Sequence, residues 1–240
     1  MTSPSALSTT LFVGIVAIVA ALFCFAVLRV APEGGRVGRD RWRRIGIPLG
    51  ILVAYLVIPG VLAGAGLLHR YSPLPAPALL LVGVITAGTM ALALSPLGAR
   101  LAAGIPLAGL VAFQVFRVPL EWLLHRLFSE GVIPVQMTYA GLNFDVISGI
   151  TAGVIALLLR SGRRSPRLVL AWNILGLLLL ANIVTVAVLS TPVPFRLFTN
   201  EPANLLPSTF PYIWLPTFLV QMALLGHVVV FRALWSSARR

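Results

Sequence analysis

The sequence contains no lysine, a single cysteine and few acidic side chains, and each shortage excludes a class of function. Without lysine the chain cannot form a lysine Schiff base, so a retinal Schiff base is excluded. The lone Cys24 excludes an intrachain disulfide and a cysteine metal cluster. Only 10% of the residues are charged, against about 25% in soluble proteins, and 59% are hydrophobic. This composition predicts an integral membrane protein.

All 18 basic side chains are arginines, which gives the chain a formal charge of +12. In a soluble protein this excess would favour a nucleic-acid surface. In a membrane protein it is explained by cytoplasmic loops, which are enriched in basic residues. We therefore expect membrane lipid and a lipid-like or small-molecule ligand as partners, and no nucleic acid. The oligomeric state stays open.

Seven apolar runs are long enough to cross a hydrocarbon core about 30 Å thick. Because a membrane span has to satisfy its own backbone hydrogen bonds, they predict an all-α integral membrane fold. We expect a single seven-transmembrane-helix bundle over residues 1–240, with the first run retained because it lacks a signal-peptide cleavage site. The predicted spans are 11–29, 45–68, 77–95, 101–127, 142–160, 168–189 and 211–232.

The arginines also predict the orientation of this bundle. Most of them fall in the first, third and fifth loops and the C-terminal tail, whereas Arg70, Arg126 and Arg196 fall on the opposite side. The arginine-rich side is expected to be cytoplasmic. The prediction is therefore a multi-pass protein of a cell membrane, a bacterial inner membrane, with its N-terminus outside and its C-terminus in the cytoplasm.

The fourth run carries a stripe of polar residues, FQVFRVPLEWLLHRLF, at positions 113–128. Gln114, Arg117, Glu121 and His125 are three or four residues apart, so a helix places them on one face. Charged groups within a membrane are costly and usually face a bundle interior or a cavity. We expect this face to line a site, with a helix kink at Pro119. The alternative is an internal Arg117–Glu121 pair of purely structural value.

The fifth run brings two further candidates, Asn143 and Asp145, from the same outer side. On a continuous helix the two side chains point in different directions, which makes Asp145 the better candidate to meet Glu121 and His125. Alternatively, Asn143 and Asp145 stabilise the start of that helix. In the sixth run Asn182 is preferred over Asn173 as a residue facing the site. His227, in the last run, is expected to form an interhelical hydrogen bond.

These residues allow two kinds of chemistry. Glu121, His125 and Asp145 offer two carboxylates and one imidazole, a set that suits a divalent metal with open coordination positions. A metal-free acid/base site fits at least as well, since Arg117 beside Glu121 disfavours another cation. No other cofactor is indicated. The proline-rich outer loop at 190–211 is expected to cap the site or to lie at the interface.

Three segments resemble a group of small, uncharacterised bacterial seven-span membrane proteins: FRVPLEWLLHRLF with IPVQMTYAGLNFDVISGITA, then AWNILGLLLLANIV, then LSTPVPFRLF. The resemblance covers roughly the second half of the chain. It implies that Arg117, Glu121, His125, Asn143 and Asp145 belong to a recurring pattern, and it implies no activity. The chain lacks the histidine pattern of the seven-span ceramidase-like hydrolases.

The leading hypothesis is a membrane enzyme whose acid/base, possibly metal-assisted, site opens to the outer leaflet and acts on a lipid or isoprenoid-like substrate. Glu121, His125 and Asp145 would be catalytic, and Arg117, Gln114, Asn143 and Asn182 would bind substrate. The alternatives are a small-solute or proton-coupled transporter or channel, and a non-catalytic subunit of a membrane complex.

Overall fold

The computed structural model describes residues 2–31, 42–72, 74–163 and 165–238. Within these ranges the regular structure is entirely helical, which confirms the predicted all-α class. The α-helices are α1 (Ala6–Arg29), α2 (Ile47–Gly64), α3 (Pro77–Leu94), α4 (Pro96–Gly104), α5 (Leu107–Ala112), α6 (Arg117–Ser129), α7 (Asp145–Arg160), α8 (Pro166–Leu189) and α9 (Val220–Ala238).

In the part of the chain that the structure describes, six helical segments are long and apolar enough to cross a membrane. They are Ala6–Arg29, Arg43–Gly64, Pro77–Leu94, Leu107–Ser129, Pro166–Leu189 and Leu215–Ser236. Three of them join α-helix to a tighter or wider turn: Trp42–Gly46 and Leu215–Leu219 are π-helical, and Phe113–Phe116 is a 3₁₀ turn. The remaining predicted span corresponds to α7, which has only 16 residues, fewer than the about 20 that a full crossing requires.

Three helix boundaries differ from the predicted runs for identifiable reasons. α1 begins at Ala6 because the Ser5 side chain accepts a hydrogen bond from Ser8 N and caps the helix. The run predicted at 101–127 is divided, because Pro106 has no N–H to continue α4 and its preceding residue is extended. The loop before the last span continues to residue 214, so that span begins at Leu215.

α7 lies against α5, α6 and α8, and α9 packs against α3, α4 and α8. Close approach of α7 to α6 depends on Gly149, where a Cβ atom would lie 2.8 Å from Val118 Cγ2. α1 packs along α6, and Thr2 Oγ1 at its N-terminal end donates to Gly131 O. At the far end of α9, Arg232 Nη1 donates to Ala93 O and Ser95 O. The polar residues of α6 and α7 are thereby placed inside the bundle.

Candidate functional site

The polar stripe of α6 is buried at three of its four positions. Gln114, Arg117 and Glu121 are 0, 1 and 2% exposed, whereas His125 is half-buried. The backbone departs from α-helical geometry at Phe113–Phe116, one turn before Pro119, which cannot donate to a carbonyl in that turn. The irregularity expected at Pro119 is therefore a short 3₁₀ segment that joins α5 to α6.

Arg117 is bound by residues from two other helices. Its Nη2 lies 3.3 Å from Asp145 Oδ2, and its Nη1 donates to Ser148 Oγ at 2.7 Å. Nη1 also lies 3.3 Å from His227 Nε2. Among the described residues the ion-pair partner of Arg117 is Asp145 of α7, not Glu121 within the same helix. A buried pair of this kind is hard to disrupt, because removing one partner leaves an uncompensated charge.

His227 completes this side of the network. Its Nδ1 lies 2.8 Å from Asn173 Oδ1, and Asn173 Nδ2 donates to His227 O at 3.0 Å. Since Arg117 can only donate, Nε2 has to accept and Nδ1 carries the hydrogen. The neutral imidazole thus connects α6, α8 and α9, which agrees with the interhelical hydrogen bond expected for His227.

Glu121 has a different partner. Asn143 Nδ2 donates to both carboxylate oxygens, at 2.8 and 2.7 Å, and also to Met137 O at 3.1 Å. Asn143 Oδ1 accepts from Asp145 N at 3.2 Å. Asn143 therefore lies between Glu121 and the first turn of α7. The sequence prediction placed the Asn143 and Asp145 side chains in different directions on one continuous helix. That helix does not extend back to residue 143, because α7 begins at Asp145.

His125 is placed apart from this group. Its ring stacks on Tyr139 with centroids 4.5 Å apart, and it is not among the described residues that line the cavity beside Glu121. Within the described ranges, no group of three or more His, Cys, Asp or Glu side chains could hold a metal ion. The metal site considered for Glu121, His125 and Asp145 is therefore without support in the described geometry.

Two further predicted residues make contacts to backbone. Gln114 Nε2 donates to Ala223 O at 3.0 Å and connects the 3₁₀ turn to α9. Asn182 is exposed and its Nδ2 donates to Leu142 O at 2.7 Å, which holds the segment before α7. Asn173, ranked below Asn182 from sequence, is the fully buried member of the network.

Glu121, Asn143 and Asp145 lie on the wall of a cavity of about 280 Å³. The wall is otherwise mostly aliphatic and comes from α3, α6, α8 and the last span, with residues such as Leu79, Leu120, Leu180, Val184 and Leu224. Arg117 is not among its described lining residues. The cavity is thus an apolar chamber with two carboxyl groups and an amide at one place.

The loop between α8 and the last span covers one end of this cavity. Thr191, Asn204, Pro207 and Ser208 contribute to the wall. The loop is fixed by backbone bonds from Leu197 N and Phe198 N to Leu189 O. Arg196 donates to Phe198 O and Asn200 O and pairs with Glu201 at 3.1 Å. Of the two interpretations of this loop, the geometry favours an ordered cap.

Sequence reasoning missed three participants: Ser148, Trp172 and Gly176. Ser148 receives the Arg117 hydrogen bond, and Trp172 Nε1 donates to Ser148 O at 3.3 Å. A Cβ at Gly176 would lie 2.5 Å from His227 Cε1 and 2.7 Å from Ser148 Oγ. A serine one helical turn after Asp145 on the same face was the available signal for Ser148. The other two depend on interhelical packing.

A family model described as Domain of unknown function (DUF8737) matches residues 74–235. The match includes the polar network of Arg117, Glu121, Asn143, Asp145 and His227, and it leaves out α1 and α2. No curated protein and no solved structure shows significant similarity to the chain.

Proposed function

The chain belongs to the DUF8737 family, whose function is unknown, and from its own geometry we propose that it is a membrane enzyme with acid/base chemistry on a lipid or isoprenoid-like substrate. The observation that carries this proposal is the placement of Glu121 and Asp145 on the wall of an otherwise mostly apolar cavity. Such a cavity binds a hydrocarbon chain by the hydrophobic effect, while its few polar groups orient the head group.

The two carboxyl groups have different roles in this proposal. Asp145 is paired with Arg117 at 3.3 Å, so the negative charge of its carboxylate is compensated by the guanidinium. Glu121 has a neutral amide, Asn143, as its hydrogen-bond partner. Glu121 can therefore gain or lose a proton without breaking an ion pair. We assign Glu121 as the general acid or base and Asp145 as the electrostatic and orienting group.

We also propose that all seven predicted segments cross the membrane, with the N-terminus outside. Thr2 contacts the C-terminal end of α6, whereas Arg232 contacts the C-terminal end of α3. Arg29, Arg100, Arg160 and Arg163 then lie on the cytoplasmic side. In this orientation the loop over residues 190–214 and the cavity below it belong to the outer leaflet, where a lipid substrate would enter.

The test is turnover of a membrane lipid extract by the purified full chain, with Glu121→Gln as the variant. Glu33→Gln is the matched control, because Glu33 falls in the first predicted loop, outside the described residues and on the side opposite to the cavity in this orientation. Loss of a general acid or base lowers the rate by about 10² to 10⁴-fold, so product should disappear in Glu121→Gln and persist in Glu33→Gln. Equal turnover in Glu121→Gln and wild type would overturn the assignment.

A second candidate, a proton-coupled transporter, is favoured by one observation. Polar contacts continue from the cavity wall through Asp145, Arg117, His227 and Asn173. A transporter needs polar groups beyond the outer chamber. The guanidinium of Arg117 in this series opposes a proton relay, because arginine does not lose its proton in proteins. We therefore rank the enzyme above the transporter. Proton flux into proteoliposomes that requires Arg117 would reverse the order.

A further inference from the structure

Some polar side-chain atoms on the cavity wall have no hydrogen-bond partner among the described residues, and those atoms are all acceptors. Three buried oxygens have no hydrogen-bond partner among the described residues: Asp145 Oδ1, Asn204 Oδ1 and Gln221 Oε1. The three residues are 5, 4 and 1% exposed, and all three line the cavity. Buried polar atoms are rarely left unpaired, so these oxygens point to a ligand that satisfies them.

The two amide orientations are fixed by their other contacts. Gln221 Nε2 donates to Pro216 O at 2.8 Å, and Asn204 Nδ2 donates to Ala187 O at 3.1 Å. A backbone carbonyl can only accept, so exchanging nitrogen and oxygen would lose both bonds. The unpaired atoms are therefore oxygens and not misassigned nitrogens.

The hydroxyl groups of the wall, by contrast, all donate to protein atoms. Burial raises the pKa of Tyr71, so its phenol keeps its proton at neutral pH and can donate to Ser208. Ser208 itself donates to a carbonyl, so it accepts from Tyr71. The donations are Thr86 to Val82 O, Thr191 to Ala187 O, Ser208 to Leu205 O, and Tyr71 to Ser208.

The amide nitrogens of the wall also donate to protein atoms. Asn143 donates to Glu121 and Met137 O, Gln221 donates to Thr86 and Pro216 O, and Asn204 donates one hydrogen to Ala187 O. The lining carboxyl groups are Glu121 and Asp145, while the cation that compensates Asp145 is behind the wall. A phosphate or carboxylate head would meet further acceptor oxygens there, and it would find no unused hydroxyl hydrogen among the described lining residues.

We propose that the ligand of this cavity is an amphiphile whose head group donates hydrogen bonds, a protonated amine or a hydroxyl, and is not anionic. The inference rests on the proposed function and narrows its substrate class. It also replaces the expectation that Arg117 binds substrate, because Arg117 is not among the described lining residues. The head group would bind at Glu121 and Asp145 Oδ1, with the chain along the aliphatic wall.

The experiment compares four probes with the same chain: decylamine, decanol, decanoate and decyl phosphate. Dissociation constants are measured for the purified full chain in neutral detergent micelles, at equal mole fraction of probe in the micelle. A charge-assisted hydrogen bond at Glu121 or Asp145 implies at least about tenfold tighter binding of decylamine than of decanoate. Decanol should also bind more tightly than decanoate and decyl phosphate.

Glu121→Gln is the site variant, and Glu33→Gln, in the first predicted loop, is the control. The ratio of decanoate to decylamine dissociation constants should fall by about tenfold in Glu121→Gln and remain unchanged in Glu33→Gln. The wild-type comparison stands even if Glu121→Gln does not fold. Binding of all four probes with equal affinity, or tightest binding of an anionic probe, overturns this inference and leaves the proposed lipid cavity standing. No binding of any probe overturns both.

Discussion

At the scale of single residues, the site depends on how two carboxyl groups divide their partners. Asp145 forms an ion pair with the guanidinium of Arg117, and Glu121 accepts hydrogen bonds from the side-chain amide of Asn143. If Glu121 also faced a cation, its proton transfer would have to break an ion pair. The asparagine binds both oxygens by hydrogen bonds and adds no charge. In the proposed enzyme it would orient Glu121 and allow its charge to change during proton transfer.

Gly176 determines whether the supporting network can form. Replacing Gly176 by alanine places a Cβ 2.5 Å from His227 Cε1, so the α8–α9 contact has to open. We expect a loss of about 1–3 kcal/mol in unfolding free energy from overpacking. The measurement is thermal unfolding in detergent, followed by circular dichroism.

Gly83→Ala is the control, because a Cβ at Gly83 in α3 meets no atom within 4 Å. In a helix this change is neutral or stabilising by up to about 1 kcal/mol. Equal transition temperatures for Gly176→Ala and wild type would show that His227 and Ser148 can move aside without cost.

The sequence allowed prediction of Arg117, Glu121 and Asp145 as one group, because side chains too costly to face lipid have to face each other. It did not allow prediction of their pairing. Spacing favoured an Arg117–Glu121 contact, but Asn143 folds back onto Glu121 and Asp145 begins a helix directed at Arg117. His125 was grouped with them by helical spacing alone, and near the C-terminal end of α6 its ring stacks on Tyr139.

At the scale of elements, the N-terminal end of α1 is attached to the end of α6 by one carboxylate. Glu130 accepts from Ser5 N at 3.0 Å and from the hydroxyls of Ser5 and Ser8, both at 2.7 Å. Arg126 Nε lies 3.2 Å from the same carboxylate. We call this cluster the Glu130 clasp. It matters to the site because α1 packs along α6, which carries Glu121.

The Glu130 clasp should make the stability of α1 depend on pH. Desolvation acts to raise the pKa of Glu130, but the hydrogen bonds from Ser5 and Ser8 and the charge of Arg126 outweigh it and lower the pKa below 4.5. A lowered pKa in the folded state means that the stabilisation is present above pH 4.5 and is lost as pH falls through the folded value.

We therefore expect Glu130→Gln to lower stability at pH 7 by about 1 kcal/mol or less, since the clasp is partly solvated. The difference from wild type should shrink as pH falls below 4.5 and disappear once the pH lies below the lowered pKa of folded Glu130. Thermal unfolding and amide hydrogen exchange at Ser5 and Ser8, both measured against pH, check this. A wild-type advantage that persisted at acidic pH would contradict it.

At the scale of the whole molecule, composition was enough to predict a helical membrane protein, because lipid permits few ways to satisfy the backbone. The division of the run at 101–127 into two helices was harder to predict from the sequence. Both Gly104 and Pro106 lie in an apolar stretch, and only the structure separates α4 from α5 there. The start of the last span was also hard to predict, because the loop before it contains hydrophobic residues. Two of them, Tyr212 and Ile213, are buried within the bundle.

The number of membrane crossings depends on α7. With 16 residues, α7 rises about 24 Å, which is less than the about 30 Å of a hydrocarbon core. At its N-terminal end, Asp145 and Ser148 are buried against Arg117, so this end need not face lipid. At its C-terminal end, the long side chain of Arg160 can extend to the interface. A short helix inside a bundle can therefore still connect the two sides.

Single cysteines at either end of α7 decide the question, because Ala140 and Ser161 are both exposed. In a Cys24→Ser background, we expect a membrane-impermeant maleimide to label Ala140→Cys in intact cells and to label Ser161→Cys only after the membrane is permeabilised. Thr2→Cys is the reference for the outer side, since Thr2 bonds the end of α6. If α7 does not cross, Ala140→Cys and Ser161→Cys will respond alike, and the cavity then cannot be assigned to the outer leaflet by arginine placement alone.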